Sequence, residues 1–166
     1  MKENSLYDKK SLREITGKSA DWNEVAKDCV AFSNAQGGVI DYGIEDDADA
    51  PPADQKVSED VAINLENKIS GKTLNVSAHA EILTHENGGQ YIRLHIARGT
   101  SSASTTSGKY FTRVSDNSIP LTGDDITRLS AEKGYYRWED EESKWSWKDA
   151  DKEKLKMLLQ NLRNSN

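Results

Sequence analysis

The stretch that most constrains this chain is a helical stripe halted by paired glycines and followed at once by a β-branched run. Trp22, Val25, Ala26, Cys29, Val30, Phe32 and Ser33 recur at helical spacing. They predict a helix over residues 19–36 with Ser19 as its N-cap. Gly37 and Gly38 stop it, because glycine reaches positive φ without steric cost and so closes a helix C-terminus. Val39-Ile40-Asp41-Tyr42-Gly43-Ile44 then reads as a strand, bounded by the acidic turn at residues 45–49. Helix and strand in this succession belong to a mixed pattern of the two.

The rest of the chain extends that pattern. Pro51-Pro52 marks a loop, after which Val57, Val61, Leu65, Lys68 and Ile69 predict a helix over residues 54–70, ending near Gly71. Residues 73–83 and 90–97 read as strands joined by a hairpin turn at Asn87-Gly88-Gly89. Residues 99–108 are Ser, Thr and Ala for the most part, too poor in apolar groups to order themselves by burial, so a mobile loop is expected. Tyr110, Phe111 and Val114 predict a strand over residues 109–115, and a helix follows from residue 122 to about residue 133. Beyond Gly134, Tyr135, Tyr136, Trp138, Trp145 and Trp147 are interleaved with charge. Residues 149–162 then carry Leu155, Leu158, Leu159 and Leu162 on one helical face. The expected organisation is an α+β domain over residues 1–133, a mixed β-sheet packed by helices. Residues 134–166 are expected to form an aromatic, charged linker and an amphipathic helix leading into a longer protein.

Composition bounds the function. With 166 residues one domain is the default, and a hydrophobic share of 35% allows one core but not a large one. Twenty-two basic against 28 acidic residues give a net charge of -6, which excludes a basic footprint over the whole surface. The single cysteine, Cys29, cannot form an internal disulfide. No apolar run approaches the roughly 18 residues that span a bilayer, and the first residues lack a secretory h-region. A cytoplasmic protein that does not enter a membrane is expected.

Few of the usual chemical signatures are present. His79, His85 and His95 lie in or beside predicted strands without metal-ligand spacing, and Cys29 falls on the inward stripe of its helix. The glycines form neither a Walker loop nor a dinucleotide fingerprint in strand-to-helix order.

Taken together, the local runs resemble a known family. Residues 29–46, from Cys29-Val30-Ala31-Phe32-Ser33-Asn34 through Gly37-Gly38 to Gly43-Ile44-Glu45-Asp46, resemble the signature AFANTxGGxxxxGVxD of the Schlafen AlbA-like domain. Lys109-Tyr110-Phe111-Thr112-Arg113-Val114-Ser115 and Asp124-Asp125-Ile126-Thr127-Arg128-Leu129 are similar to its closing YYVRxGSSN strand and EEIxxL helix. The resemblance implies an α+β fold with Asn34, Gly37, Gly38 and Gly43 as its structural motif. It also implies a nucleic-acid-binding role, on DNA, at the N-terminus of bacterial proteins described as transcriptional regulators or ATP-binding proteins. Any ATP binding would belong to a further part of such a protein, so no cofactor is expected in residues 1–166.

The family often opens with ESxxLEFK, which aligns here with residues 9–16, Lys9-Lys10-Ser11-Leu12-Arg13-Glu14-Ile15-Thr16. Some eukaryotic Schlafen relatives are nucleases that use two Glu from this opening and an Asp near the GVxD strand end. In this alignment Lys9 stands at the first Glu position and Thr16 at the Lys position. Glu14 with Asp46 or Asp47 then supplies only two carboxylates, enough to hold magnesium loosely but poorly matched to phosphodiester cleavage. No enzyme activity is expected on that ground.

Nucleic acid would be held by local cations, since phosphate contacts dominate affinity. The candidates are Lys9, Lys10, Arg13 and Lys18 before the first helix, Arg93 and Arg98 on the hairpin, and Lys109 and Arg113 beside the Ser/Thr loop. For Arg113 an ion pair with Asp116 or an acidic turn competes with phosphate contact. Two other readings stand beside nucleic-acid binding: a Schlafen-type metal-dependent nuclease, active or vestigial, and a protein-interaction module such as a homodimer.

Overall fold

The computed structural model of the protein describes residues 3–134. Its centre is helix α1 (Trp22–Asn34), with Val25, Ala26, Cys29, Val30 and Phe32 buried. The helix starts later than the periodicity alone predicts. Asp21, not Ser19, caps it, accepting from the N–H groups of Asn23 and Glu24 at 3.0 and 3.2 Å. Ser19 instead closes a short 3-10 turn (Gly17–Ser19), its hydroxyl donating to the Arg13 carbonyl.

A four-stranded sheet lies against α1 in the order β1-β2-β5-β4, comprising β1 (Tyr7–Lys10), β2 (Gly38–Tyr42), β4 (Ala78–Thr84) and β5 (Gln90–Ile96). β1 and β2 run parallel with α1 as the crossover between them, and the other pairs are antiparallel. Ile40, Tyr42, Ile92, Leu94 and Ile96 point to the core. They meet Val25, Cys29 and Phe32 of α1 and Ala62, Leu65 and Ile69 of α2 (Glu59–Lys72). Twelve buried residues form this core, in line with the modest apolar content.

The turn from α1 into β2 needs its two glycines. The N–H of Gly37 donates to the Phe32 carbonyl at 2.8 Å, and φ is +75° at Gly37 and +152° at Gly38. A Cβ on Gly37 would lie 2.7 Å from the backbone at Ile96 and Arg98. One on Gly38 would lie 2.5 Å from the Leu6 carbonyl and 2.7 Å from the Phe32 ring. The strands on both sides thus approach the turn too closely for any side chain.

Four elements differ from the sequence reading. β1 has no counterpart there, because three of its four residues are charged and no apolar alternation marks it. The run at 73–83 divides at Asn75, which has φ +61°, into β3 (Thr73–Leu74) and β4. β8 (Asn117–Leu121) pairs with β7 (Tyr110–Val114) across the two-residue turn Ser115-Asp116, and Pro120 is tolerated because β8 has no further neighbour among the described residues.

Residues 99–108, expected as a mobile loop, instead contain β6 (Ser104–Thr105), which pairs with β3. The buried Asn34 side chain receives the Ala103 N–H and donates to the carbonyls of Ala103 and Phe111, all at 2.8 Å. Hydrogen bonds from α1 supply the order that apolar burial does not.

The described part closes with α3 (Asp124–Gly134), whose Lys133 ammonium donates to the carbonyls of Ser33 and Gly99 at 2.7 and 2.8 Å. Among the described residues no helix is long and apolar enough to cross a membrane. The aromatic segment beyond Gly134 and the amphipathic helix at 149–162 lie outside the described residues.

Candidate nucleic-acid interface

The eight cations singled out in the sequence fall into two classes. Lys9, 7% exposed, donates its ammonium to the carbonyls of Asp46 and Ala48 at 2.6 and 2.7 Å, and so fastens the acidic turn to β1. Arg93 grips Asp41 with two bonds of 2.8 Å, and Asp41 also accepts from the Tyr7 hydroxyl. Arg113 lies under the surface, 3.2 Å from Asp8 and 4.5 Å above the Phe32 ring. Its partner is therefore Asp8 from the far end of the sequence, not Asp116. Lys10 is half-buried 3.4 Å from the same carboxylate. All four are engaged with partners inside the fold.

Arg13, Lys18, Arg98 and Lys109 are exposed. Among the described residues, only Arg13 of these four has a carboxylate within 4 Å, at a long 3.8 Å to Glu45. Two further lysines fall outside the sequence reading, Lys27 on α1 and Lys72 at the end of α2, which stand in the same surface groove as Lys109. The available signal is the i, i+4 spacing of Asn23 and Lys27, which puts both on one helix face.

The β1 end of the sheet gathers a different kind of chemistry. Glu3, Glu14, Asp28 and Lys10 all lie close enough to Asp8 to feel its charge, and Glu14 also feels that of Asp46. Burial raises the pKa of Glu3, and the neighbouring Asp8 raises it further. Burial also raises Glu14, partly opposed by Lys10 and reinforced by Asp28, Asp46 and Asp8. Asp28 is raised by burial despite accepting the Ser118 hydroxyl at 2.7 Å. For Lys10, burial disfavours the ammonium, but the carboxylates of Asp8, Asp28 and Glu14 outweigh it and hold the pKa above the ordinary lysine value.

This centre does not fit a divalent ion as it stands. Asp8 is engaged by Arg113 and Lys10, and Asp46 and Asp47 stand exposed on the turn. Among the described residues no three Asp, Glu, His or Cys side chains converge on one cation position. Two of the histidines face carboxylates: His79 lies 2.9 Å from Glu66 and His95 3.4 Å from Glu81. Cys29 is fully buried, where desolvation pushes its thiol pKa up.

Comparison with known proteins accounts for this arrangement. No curated protein sequence matches the chain. Among solved structures, the DIP2311 protein from Corynebacterium diphtheriae is similar in fold, with a TM-score of 0.52 at 19% identity. The match covers 70% of this chain and 25% of that one, so this chain spans about a quarter of that protein's length. The family model described as Schlafen, AlbA_2 matches residues 3–122. With the opening motif, the glycine turn and the β7 strand all inside the matched region, the chain belongs to the Schlafen AlbA_2 family.

Proposed function

We propose that this domain binds nucleic acid, DNA in particular, as the nucleic-acid-contacting part of a bacterial protein of the transcriptional-regulator kind. Family membership supports a role connected with nucleic acid. The observation that carries the reading is the set of exposed cations Lys18, Arg98 and Lys109, left without carboxylate partners among the described residues, with Arg13 only 3.8 Å from Glu45, in a chain of net charge -6. Cations held by carboxylates offer little to a phosphate; free ones exchange small counterions for the polyanion. Sequence preference is expected to be weak, because phosphate contacts position a protein without reading bases.

The test is binding of labelled duplex DNA by the whole chain at about 50 and 200 mM salt, with and without magnesium. Affinity that falls steeply with salt and ignores magnesium supports the reading. Absence of binding at high micromolar protein in the lower salt overturns it.

The domain is non-enzymatic under this proposal, because Glu14 with Asp46 or Asp47 leaves the carboxylate set of a nuclease incomplete. The nearby Asp8 is buried beneath Arg113 and paired with Lys10. Incubation with labelled transfer RNA and single-stranded DNA in magnesium or manganese decides the point. Cleavage that vanishes in Glu14→Gln would establish a nuclease instead.

A further inference from the structure

A groove of about 360 Å³ opens where the first turns of α1, the end of α2 and the turn between β6 and β7 meet. Asn23, Glu24 and Lys27 line it from α1, Lys72 from α2, and Thr106, Ser107 and Lys109 from the turn, with Phe111 beside them. It thus holds three ammonium groups against one carboxylate, a local excess of positive charge on an acidic protein. We infer that this groove is a binding site for a phosphate ester.

The walls are fixed by hydrogen bonds that leave the Lys109 ammonium free among the described residues. The Thr106 N–H donates to the Lys72 carbonyl at 2.9 Å, pinning the turn to α2. Within the turn the N–H of Gly108 reaches the Thr105 carbonyl, and the Thr105 and Ser107 hydroxyls lie 2.9 Å apart. Lys72 donates to the Asn23 side chain at 3.1 Å, a neutral partner, and Lys27 pairs with Glu24. Lys109 is exposed, and among the described residues its ammonium has no partner. The end of α1 is not itself the anion site, since Asp21 already takes the N–H groups of Asn23 and Glu24.

The chemistry favours a phosphate ester over a simple carboxylate. Three point charges on three separate elements suit a ligand with several anionic oxygens, and the Thr106 and Ser107 hydroxyls can donate to the same oxygens. Phe111, half-buried at the wall, offers a face against which a sugar or base can lie. The phosphate can come from a nucleic-acid backbone or from a free nucleotide. The inference rests on the nucleic-acid reading only for that source.

The experiment titrates the isotope-labelled whole chain with sodium pyrophosphate and, separately, with a single-stranded DNA oligonucleotide, following backbone amide resonances. Both ligands are expected to move the amides of Thr106, Ser107 and Lys109. Lys27→Ala/Lys72→Ala/Lys109→Ala is expected to lose tenfold or more in affinity, and Glu24→Gln to gain. Lys18→Ala/Arg98→Ala, outside the groove, should lose less. Should the triple variant fail to fold, Lys109→Ala alone carries the test, because that ammonium supports nothing among the described residues. Pyrophosphate that leaves the turn unmoved, or DNA affinity unchanged in the triple variant, overturns the site while the nucleic-acid reading stands. Pyrophosphate bound in the groove by a protein that ignores DNA keeps the site, assigns it to free nucleotides, and overturns the nucleic-acid reading.

Discussion

The β1 end of the sheet and the α1–α2 groove are both rich in charge, and they use it in opposite ways. At β1 each cation is matched to an acid or a carbonyl: Arg113 and Lys10 to Asp8, Arg93 to Asp41, Lys9 to the acidic turn. In the groove only Lys27 has an acidic partner, Glu24; Lys72 rests on a neutral amide, and Lys109 is unpaired among the described residues. Charge that holds the fold together is thus separated from charge offered to a ligand. The contrast predicts that removing cations from the first region costs stability, and that removing them from the second costs binding.

The largest effect is expected at the buried pair. Arg113→Ala leaves the Asp8 carboxylate, which is 2% exposed, with Lys10 as its remaining ionic partner, and should cost about 3 kcal/mol in urea unfolding, the low end for a broken buried pair. A loss below about 1 kcal/mol would put this pair on a par with surface bridges and erase the contrast. Next comes Gly38→Val, expected to lower stability by more than the roughly 1 kcal/mol of glycine propensity effects, since its side chain meets the Leu6 carbonyl and Phe32. Unchanged thermal stability would contradict the packing of that turn.

A smaller effect concerns the raised carboxylates. Asp28, Glu14 and Glu3 all have pKa values above their ordinary ones, so over that window the folded state binds more protons than the unfolded chain. Their contribution to stability is full below the ordinary carboxylate values and is lost as pH rises through the raised ones. Asp28→Asn keeps an acceptor for Ser118 and should flatten that decline. It should gain no more than about 1 kcal/mol at neutral pH, the size of one net hydrogen bond. A steeper decline in the variant would reverse the assigned sign. Smallest of all, Lys109→Ala should change unfolding stability by less than about 0.5 kcal/mol, as expected for an exposed position.

The sequence makes some of this legible and hides the rest for physical reasons. The α1 stripe, the glycine turn, β2 and the β4–β5 hairpin are readable because periodicity and turn residues there are local signals. β1 is not, since the acids and bases of Tyr7-Asp8-Lys9-Lys10 find partners far along the chain, Asp8 with Arg113 and Lys9 with the turn at Asp46. The same long-range pairing obscures the choice of binding residues: nothing in the local sequence distinguishes Arg93, clamped by Asp41, from Arg98, which is exposed. The order of residues 99–108 depends on partners far along the chain, among them Asn34, 69 positions away from Ala103, and β3, which pairs with β6.

The most direct measurement of the central claim is the salt dependence of single-stranded DNA binding for the intact chain and its triple groove variant. The account predicts that log affinity falls linearly with log salt, and that the slope shrinks by about 2 in the variant, at about 0.7 for each phosphate that a groove lysine neutralises. Binding that does not change with salt, or a slope identical in the two proteins, would contradict it.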